Sequence, residues 1–206
     1  MNQKTTLLRL CAAVLAAAAL SGCAALVVGG ALGTAMVVTD RRTAGTQVED
    51  QNIELKSLTR VRESVGDRGH INTTSYNRTV LLTGEVQSDA DRSAVEQAIG
   101  RIENVRTIVN ELAVMGASSI TARSNDAILT SKIKASLIDA KDVQAGAFKV
   151  VTERGVVYLL GRVTEREANR ASDIARGVSG VQKVVKVFEI LTETELANLG
   201  SNEPKK

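Results

Sequence analysis

The sequence has 206 residues and a formal net charge of +3, and 44% of its residues are hydrophobic while only 2% are aromatic. Two tyrosines, two phenylalanines and no tryptophan are too few rings for a base-stacking platform, which argues against a single-stranded nucleic-acid-binding protein. Two positive charges, Lys4 and Arg9, lie in a segment typical of a removable leader, and without them the charge falls to +1. The basicity is therefore no argument for nucleic acid.

The first 22 residues have the order of a secretory signal peptide, because two basic residues precede an apolar run from Leu10 to Leu20. The segment Leu20-Ser21-Gly22-Cys23 resembles a bacterial lipobox, in which Cys23 is acylated and becomes the first mature residue. The alternative is an ordinary cleavage site with an incidental cysteine. Cys11 would leave with the leader, so Cys23 would be the only thiol and could form no internal disulfide, which favours the anchor.

A tether is predicted between the anchor and the first folded unit, over residues 23–45. Ala24 to Val38 is apolar, but its fifteen residues fall short of the roughly 20 that a spanning helix needs. Acyl chains hold a protein at a bilayer without a span. Ala24, at the position after the cysteine, resembles a lipoprotein sorting signal for the outer membrane. From Thr39 the chain is polar and charged.

An internal repeat organises the rest of the chain. Val80 to Val86 recurs as Val157 to Val163, and Ile102 to Val109 recurs as Val178 to Val185, at offsets of 76 or 77 residues. The repeat predicts a first domain over residues 46–115 and a second over 124–191. Residues 116–123 form the predicted linker, and residues 192–206 a polar tail that frays.

Each copy is predicted to run helix, strand, strand, helix, strand. In the first copy a helix follows Asp50, with Ile53, Leu58, Val61 and Val65 as its buried stripe. The predicted elements that follow are a hairpin of 71–76 and 79–86, a helix capped by Ser88, and a strand over 106–113.

In the second copy the predicted helix covers 126–140 and the hairpin covers 147–152 and 156–163. A capping box, Thr164-x-x-Glu167, starts the second helix, and 183–189 closes the sheet. The fold class is therefore α+β, with two tandem α-β-β-α-β domains, each a three-stranded sheet covered on one face by two helices.

The repeated unit resembles the BON domain through two glycine-centred segments, Leu-Thr-Gly84-Glu-Val and Leu-Leu-Gly161-Arg-Val-Thr-Glu-Arg-Glu. With the leader, lipobox and tether, the chain is similar to the dual-BON-domain outer-membrane lipoproteins. This resemblance implies a protein anchored at the periplasmic side of the outer membrane, with surface exposure left open, that supports envelope integrity. It also implies that the second domain binds anionic phospholipid such as phosphatidylglycerol, and that the protein works with the outer-membrane protein assembly machinery.

A comparison of the first helices of the two copies predicts where lipid would bind. Ile128 takes the place of Asn52, and Ile138 takes the place of Arg62. At about 100° per residue, Ile128 points away from the apolar stripe of its own helix. An exposed aliphatic side chain among cations is suited to a membrane interface. The predicted lipid-binding residues are Arg123, Ile128, Lys132, Lys134, Ile138 and Lys141.

Two alternatives stay open at this stage. Ile128 could pack against the other domain or the linker instead of lipid. The whole protein could also be a scaffold that docks on another envelope protein, with lipid contact incidental. The chain has no tryptophan, so the aromatic residue that the family carries near Ile128 is absent.

Catalysis is not expected. His70 is the only histidine, stands at a predicted loop-to-strand junction and is interpreted as structural or exposed. No thiol remains after acylation of Cys23, and no serine lies in a nucleophile-elbow pattern. Gly84 and Gly161 lack the Gly-Lys-Ser of a phosphate loop, so a close-packing or bulge role is predicted for them. We therefore expect no enzyme activity, no metal site and no cofactor.

Overall fold

The computed structural model of the chain describes residues 40–201. The predicted signal peptide, Cys23, most of the tether and the last five residues lie outside the described residues. None of the helices in the described part is long and apolar enough to cross a membrane. The helices are α1 Ala44–Val65, α2 Asp89–Gly100, α3 Ile120–Asp139, α4 Glu165–Arg176 and α5 Glu193–Ser201. The strands are β1 Gly69–Tyr76, β2 Thr79–Val86, β3 Thr107–Asn110, β4 Ala113–Val114, β5 Phe148–Glu153, β6 Val156–Val163 and β7 Lys183–Ile190.

Both predicted hairpins form, and the α+β fold class is confirmed. β1 pairs antiparallel with β2, and β5 pairs antiparallel with β6. The two-residue turns, Asn77-Arg78 and Arg154-Gly155, have positive φ at both positions, which is the geometry that suits the twist of a tight hairpin. The last strand of each domain returns parallel to the central strand.

The third strand of the first domain differs from the prediction. Instead of one strand over 106–113, β3 and β4 both pair in parallel with β2 and are separated by two residues. Asn110 accepts a hydrogen bond from the backbone N–H of Leu112 at 3.2 Å, and the Leu112 side chain is buried in the core. The break therefore turns Leu112 inward.

Two helix starts and the tail also differ from the prediction. α1 begins at Ala44, six residues before Asp50, because Thr43 accepts a hydrogen bond from the backbone N–H of Thr46 at 3.1 Å and caps the helix. α3 begins at Ile120, six residues before Asp126, because Ser119 accepts a hydrogen bond from the backbone N–H of Ala122 at 3.1 Å and caps the helix. The tail does not fray directly after Leu191. A helix forms there, since Thr192 and Glu195 exchange capping-box hydrogen bonds at 2.8 and 3.2 Å.

The predicted buried stripe of α1 is wrong at Leu58, which is 65% exposed. The buried position is Ser57, one residue earlier, in line with Ile53 and Val65. Its hydroxyl donates to the Ile53 carbonyl at 2.7 Å, so the buried oxygen is satisfied. The prediction chose Leu58 because it looked for apolar residues at helical spacing, and the buried position is occupied by a polar residue.

Gly84 and Gly161 occupy equivalent positions in β2 and β6, and the predicted close-packing role is confirmed. Gly84 has a φ of +109°, and a Cβ there would lie 1.9 Å from the His70 carbonyl oxygen. A Cβ on Gly161 would lie 2.5 Å from the Ala147 carbonyl oxygen. A side chain at either position would force the adjacent backbone away.

The two sheets pack on each other through the faces that the helices leave open. One side of each central strand enters the core beneath its own helices. The alternate side chains belong to a third cluster that both domains share. Its buried members are Tyr76, Leu81, Tyr158 and Leu160. Each sheet is thus covered on both faces, by helices on one and by the other domain on the other.

Candidate functional site

The outward face of α3 carries three isoleucines. Ile120 is 81% exposed, and Ile128 and Ile138 are each 55% exposed. At about 100° per residue, all three lie within about 40° of the direction opposite to the buried stripe. The side chains of that stripe are Leu129, Ile133 and Leu137. Ile120 was missed by sequence reasoning because the helix was predicted to start after it.

The predicted cations do not all take part in this face. Lys132 and Lys134 are exposed and flank the isoleucines, one on each side of the helix, and Lys141 is exposed just beyond its end. Arg123 is half-buried instead, and its guanidinium donates to the Ser118 hydroxyl at 3.2 Å and to the Ser118 carbonyl at 3.0 Å. The structure therefore combines an apolar ridge with two flanking lysines, and it directs Arg123 toward the linker.

A cleft of about 770 Å³ lies beside the N-terminal half of α3. Ile128 and Lys132 line it, together with Arg154 from the β5–β6 turn. Ser119, Asn125 and Gln182 add polar groups to its wall. Arg154 was missed because nothing in its local sequence distinguishes it from an ordinary turn residue.

A buried aspartate fixes the first helix of each domain to its hairpin. Asp126 of α3 accepts the backbone N–H groups of Arg154 and Gly155 at 2.7 and 2.8 Å. Asp50 of α1 accepts those of Asn77 and Arg78, both at 2.8 Å. The two aspartates therefore correspond in the repeat because each one binds the hairpin turn of its own domain. In the second domain, Asp126 holds the turn that contains Arg154 against α3.

Asp50 is the more heavily bonded of the two aspartates. It also accepts hydrogen bonds from the Ser75 hydroxyl at 2.7 Å and from Arg42 at 2.9 Å. Burial acts to raise the pKa of this carboxyl, but the hydrogen bonds outweigh burial and hold the pKa below its usual 3.8. Asp50 therefore stays ionised at neutral pH inside the protein.

The segment leading into α1 is attached to the second domain. Arg41 forms a bidentate ion pair with Glu167 of α4, with distances of 2.7 and 2.8 Å. Their side chains are only 6% and 5% exposed. Arg41 also donates to the Arg162 carbonyl at 2.9 Å. Glu167 is the N3 residue of the predicted capping box, which is confirmed, so one carboxylate caps α4 and binds the start of the folded chain.

This ion pair predicts a loss of stability in acid. The hydrogen bond from Arg41 lowers the pKa of Glu167 below its usual 4.5, although burial opposes it. A carboxyl whose pKa is lower in the folded state contributes stability that is complete above about pH 4.5 and lost as pH falls through the folded-state pKa. Glu167→Gln keeps a capping acceptor but loses the charge, so we expect about 2 kcal/mol less stability at neutral pH and a flatter decline below pH 4.5.

Urea denaturation at a series of pH values checks this expectation. Glu165→Gln is the matched control, because Glu165 lies on the same helical turn and is exposed. A Glu167→Gln curve that runs parallel to the wild-type curve through the acid range would contradict the assignment.

Comparisons with known proteins agree with the repeat. A family model described as BON domain matches residues 49–116 and 125–192. The chain is 42% identical over 175 residues to the outer membrane lipoprotein DolP of Haemophilus influenzae, covering 84% of this chain and 90% of that protein. It is 36% identical to a 21 kDa hemolysin of Actinobacillus pleuropneumoniae, with 72% and 78% covered. It is 30% identical to Osmotically-inducible protein Y of Escherichia coli, with 68% and 72% covered.

The two segments that match the family model are the two halves of the repeat, and each contains one helix-covered sheet with its own core. Together they make up more than half of the chain. The chain therefore belongs to the BON-domain family and carries two copies of the domain.

Proposed function

We propose that this chain is a non-enzymatic lipoprotein of the outer membrane, acylated at Cys23, whose second BON domain binds anionic phospholipid and which supports outer-membrane integrity. The lipobox and the similarity to the outer membrane lipoprotein DolP support the anchor and its location. The observation that carries the lipid proposal is the exposed isoleucine ridge of α3 with a lysine on either side.

The chemistry of this face suits the boundary between headgroups and acyl chains. Full burial of an isoleucine stabilises by about 1.5–3 kcal/mol, so three partly exposed ones contribute about 1 kcal/mol or more each. A lysine beside an anionic surface adds about 1 kcal/mol. Since acyl chains on Cys23 would keep the domain beside the bilayer, a modest affinity per domain is sufficient.

The second domain is a better candidate than the first for anionic lipid. α1 contains four acidic and three basic residues, a net charge of −1, whereas α3 contains two acidic and three basic residues, a net charge of +1. One aspartate of each helix, Asp50 and Asp126, is buried against its hairpin. The net charge of α3 is therefore more favourable to phosphate groups than that of α1. Arg154, which lines the cleft beside α3, adds another cation.

Ile128→Glu is expected to weaken binding to phosphatidylglycerol vesicles at least about tenfold, because a carboxylate replaces an inserting side chain and repels the headgroups. The measurement is co-sedimentation of residues 40–206 with the vesicles. The equivalent position in α1 provides the control, and Asn52→Glu should bind like the wild type. Equal binding by Ile128→Glu and the wild type would refute the assignment of this surface.

A scaffold function is the second candidate, and it is favoured by α1. This helix exposes Val48, Leu55 and Leu58, at 57%, 64% and 65%. The equivalent residues of α3 are Ser124, Ser131 and Lys134, so the two helices present apolar groups at different positions. Docking of α1 on an envelope protein such as the outer-membrane protein assembly machinery would use this face. Absence of wild-type vesicle binding would favour the scaffold over the lipid function.

A further inference from the structure

Three potential metal ligands meet where the two domains join. His70 of β1 and Glu85 of β2 are directly paired across the first hairpin. Glu153, at the end of β5, comes from the second domain. The imidazole and carboxylate donor atoms of the three residues all lie within 4.8 Å of one another. Strand pairing and domain packing thus bring together residues that are far apart in sequence.

The three residues are largely buried, and the imidazole nitrogen of one of them has no hydrogen-bond partner. Glu85 is fully buried and Glu153 is 7% exposed. The Nδ1 atom of His70 is buried without a hydrogen-bond partner, although the Glu85 Oε2 atom lies only 3.4 Å away. A nitrogen that approaches a carboxylate so closely without a hydrogen bond is rare in a native interior and calls for a ligand or a proton to explain it.

The positive charge near the two carboxylates comes from partly exposed arginines. Arg154 forms an ion pair with Glu85 at 3.5 Å, and its side chain is 42% exposed. Arg123 lines the cleft beside His70 and Glu153, and its guanidinium donates to Ser118. Two buried carboxylates whose neighbouring cations are partly exposed would be stabilised by an added positive charge between them.

Both carboxylates are held in place by neighbouring donors. The backbone N–H of Ser118 donates to Glu85 at 3.2 Å, and the Asn72 amide donates to Glu153 at 2.9 Å. Such partners orient metal-binding carboxylates. A cleft of about 220 Å³ is lined by His70 and Glu153 and provides a path for an ion.

We propose that His70, Glu85 and Glu153 form a binding site for a divalent transition cation of the Zn²⁺ type, which bridges the two BON domains. Nitrogen and oxygen ligands about 2.0–2.1 Å from tetrahedral zinc lie about 3.3 Å apart. The 3.4 Å separation of His70 Nδ1 and Glu85 Oε2 matches that spacing. A shift of the Glu153 carboxylate toward this pair completes three protein ligands, and water takes the fourth position.

The test uses the full-length chain without a polyhistidine tag, with Cys11→Ser and Cys23→Ser so that no thiol competes for metal. His70 is the only histidine, so the imidazole signals of ¹⁵N-histidine-labelled protein report on this site alone. We expect one Zn²⁺ per chain to shift the Nδ1 resonance, while Mg²⁺ does not. An unshifted resonance would overturn the proposal, whatever the behaviour of any variant.

Variants then identify the bridging ligand. Glu153→Gln should weaken Zn²⁺ binding in calorimetry by more than tenfold, and Asn72→Ala by about tenfold as an orienting residue. Glu103→Gln is the control, because Glu103 is 84% exposed and lies away from the cluster. Zn²⁺ binding that is unchanged in Glu153→Gln would overturn a site shared by the two domains.

Discussion

Asp50→Ala is expected to lower the free energy of unfolding by about 4 kcal/mol, because removing one partner of a buried charged network leaves the others unsatisfied. The substitution removes the acceptor of two backbone N–H groups of the β1–β2 turn and of the Ser75 hydroxyl. It also removes one of the two carboxylates that Arg42 binds, and Arg42 keeps its ion pair with Asp40. The turn has positive φ at both residues, so it depends on outside hydrogen bonds more than an ordinary loop does.

Urea denaturation at neutral pH measures this change. Asp126→Ala should cost less, about 2 to 3 kcal/mol, because Asp126 accepts the two turn N–H groups without the additional Ser75 and Arg42 bonds seen at Asp50. Asp67→Ala, at an exposed position, should change stability by about 0.5 kcal/mol or less. A loss of under about 1 kcal/mol for Asp50→Ala would contradict the role assigned to it.

Leu160→Asp is expected to separate the domains. Leu160 is fully buried in the cluster that both sheets share, whereas its neighbour Leu159 enters the helix-covered core. Loss of a buried leucine costs about 2–5 kcal/mol, and an aspartate there adds an unpaired charge. Since the core on the other face is untouched, we expect the wild type to unfold in one cooperative transition and the variant in two.

Differential scanning calorimetry distinguishes these outcomes, and the radius of gyration from small-angle scattering should rise in the variant. Ile190→Asp is the control, because Ile190 lies on β7 of the same sheet but is 54% exposed. A single transition at the wild-type midpoint in Leu160→Asp would show that the domains do not depend on this contact.

The local elements were predictable because their signals are local. The hairpins, the Ser88 and Thr164 caps and the close-packing glycines follow from residues within a few positions of each other. The start of α3 was missed although Ser119 is a good cap, because the repeat placed the start of the helix at Asp126, six residues after Ile120. The α5 helix was missed although Thr192-x-x-Glu195 has the same signature as Thr164-x-x-Glu167.

The sequence contains a pattern from which the packing of the two sheets could have been partly predicted. Val80-Leu81-Leu82 and Val157-Tyr158-Leu159-Leu160 are continuous apolar runs, whereas a sheet with one solvated face alternates. Such runs indicate strands that are buried on both faces. They could have predicted that each sheet has a second cover, although not that the cover is the other domain.

Some residues of the candidate sites could be predicted from the sequence, and others could not. Comparison of the two copies identified Ile128 and Ile138, because duplicated domains share core positions and diverge at the surface. Arg154 and the cluster of His70, Glu85 and Glu153 depend on contacts between distant strands and between domains. No spacing in a single sequence specifies such contacts, so these residues became visible only in three dimensions.

The attachment of Arg41 to Glu167 has a mechanical consequence. A pull on the chain ahead of Asp40 reaches α4 of the second domain through two short charged hydrogen bonds before it reaches α1 of the first. The load is therefore divided between the two halves of the molecule. Traction from the membrane side would not peel the first domain open from its leading helix, as it would if the chain entered that helix without this contact.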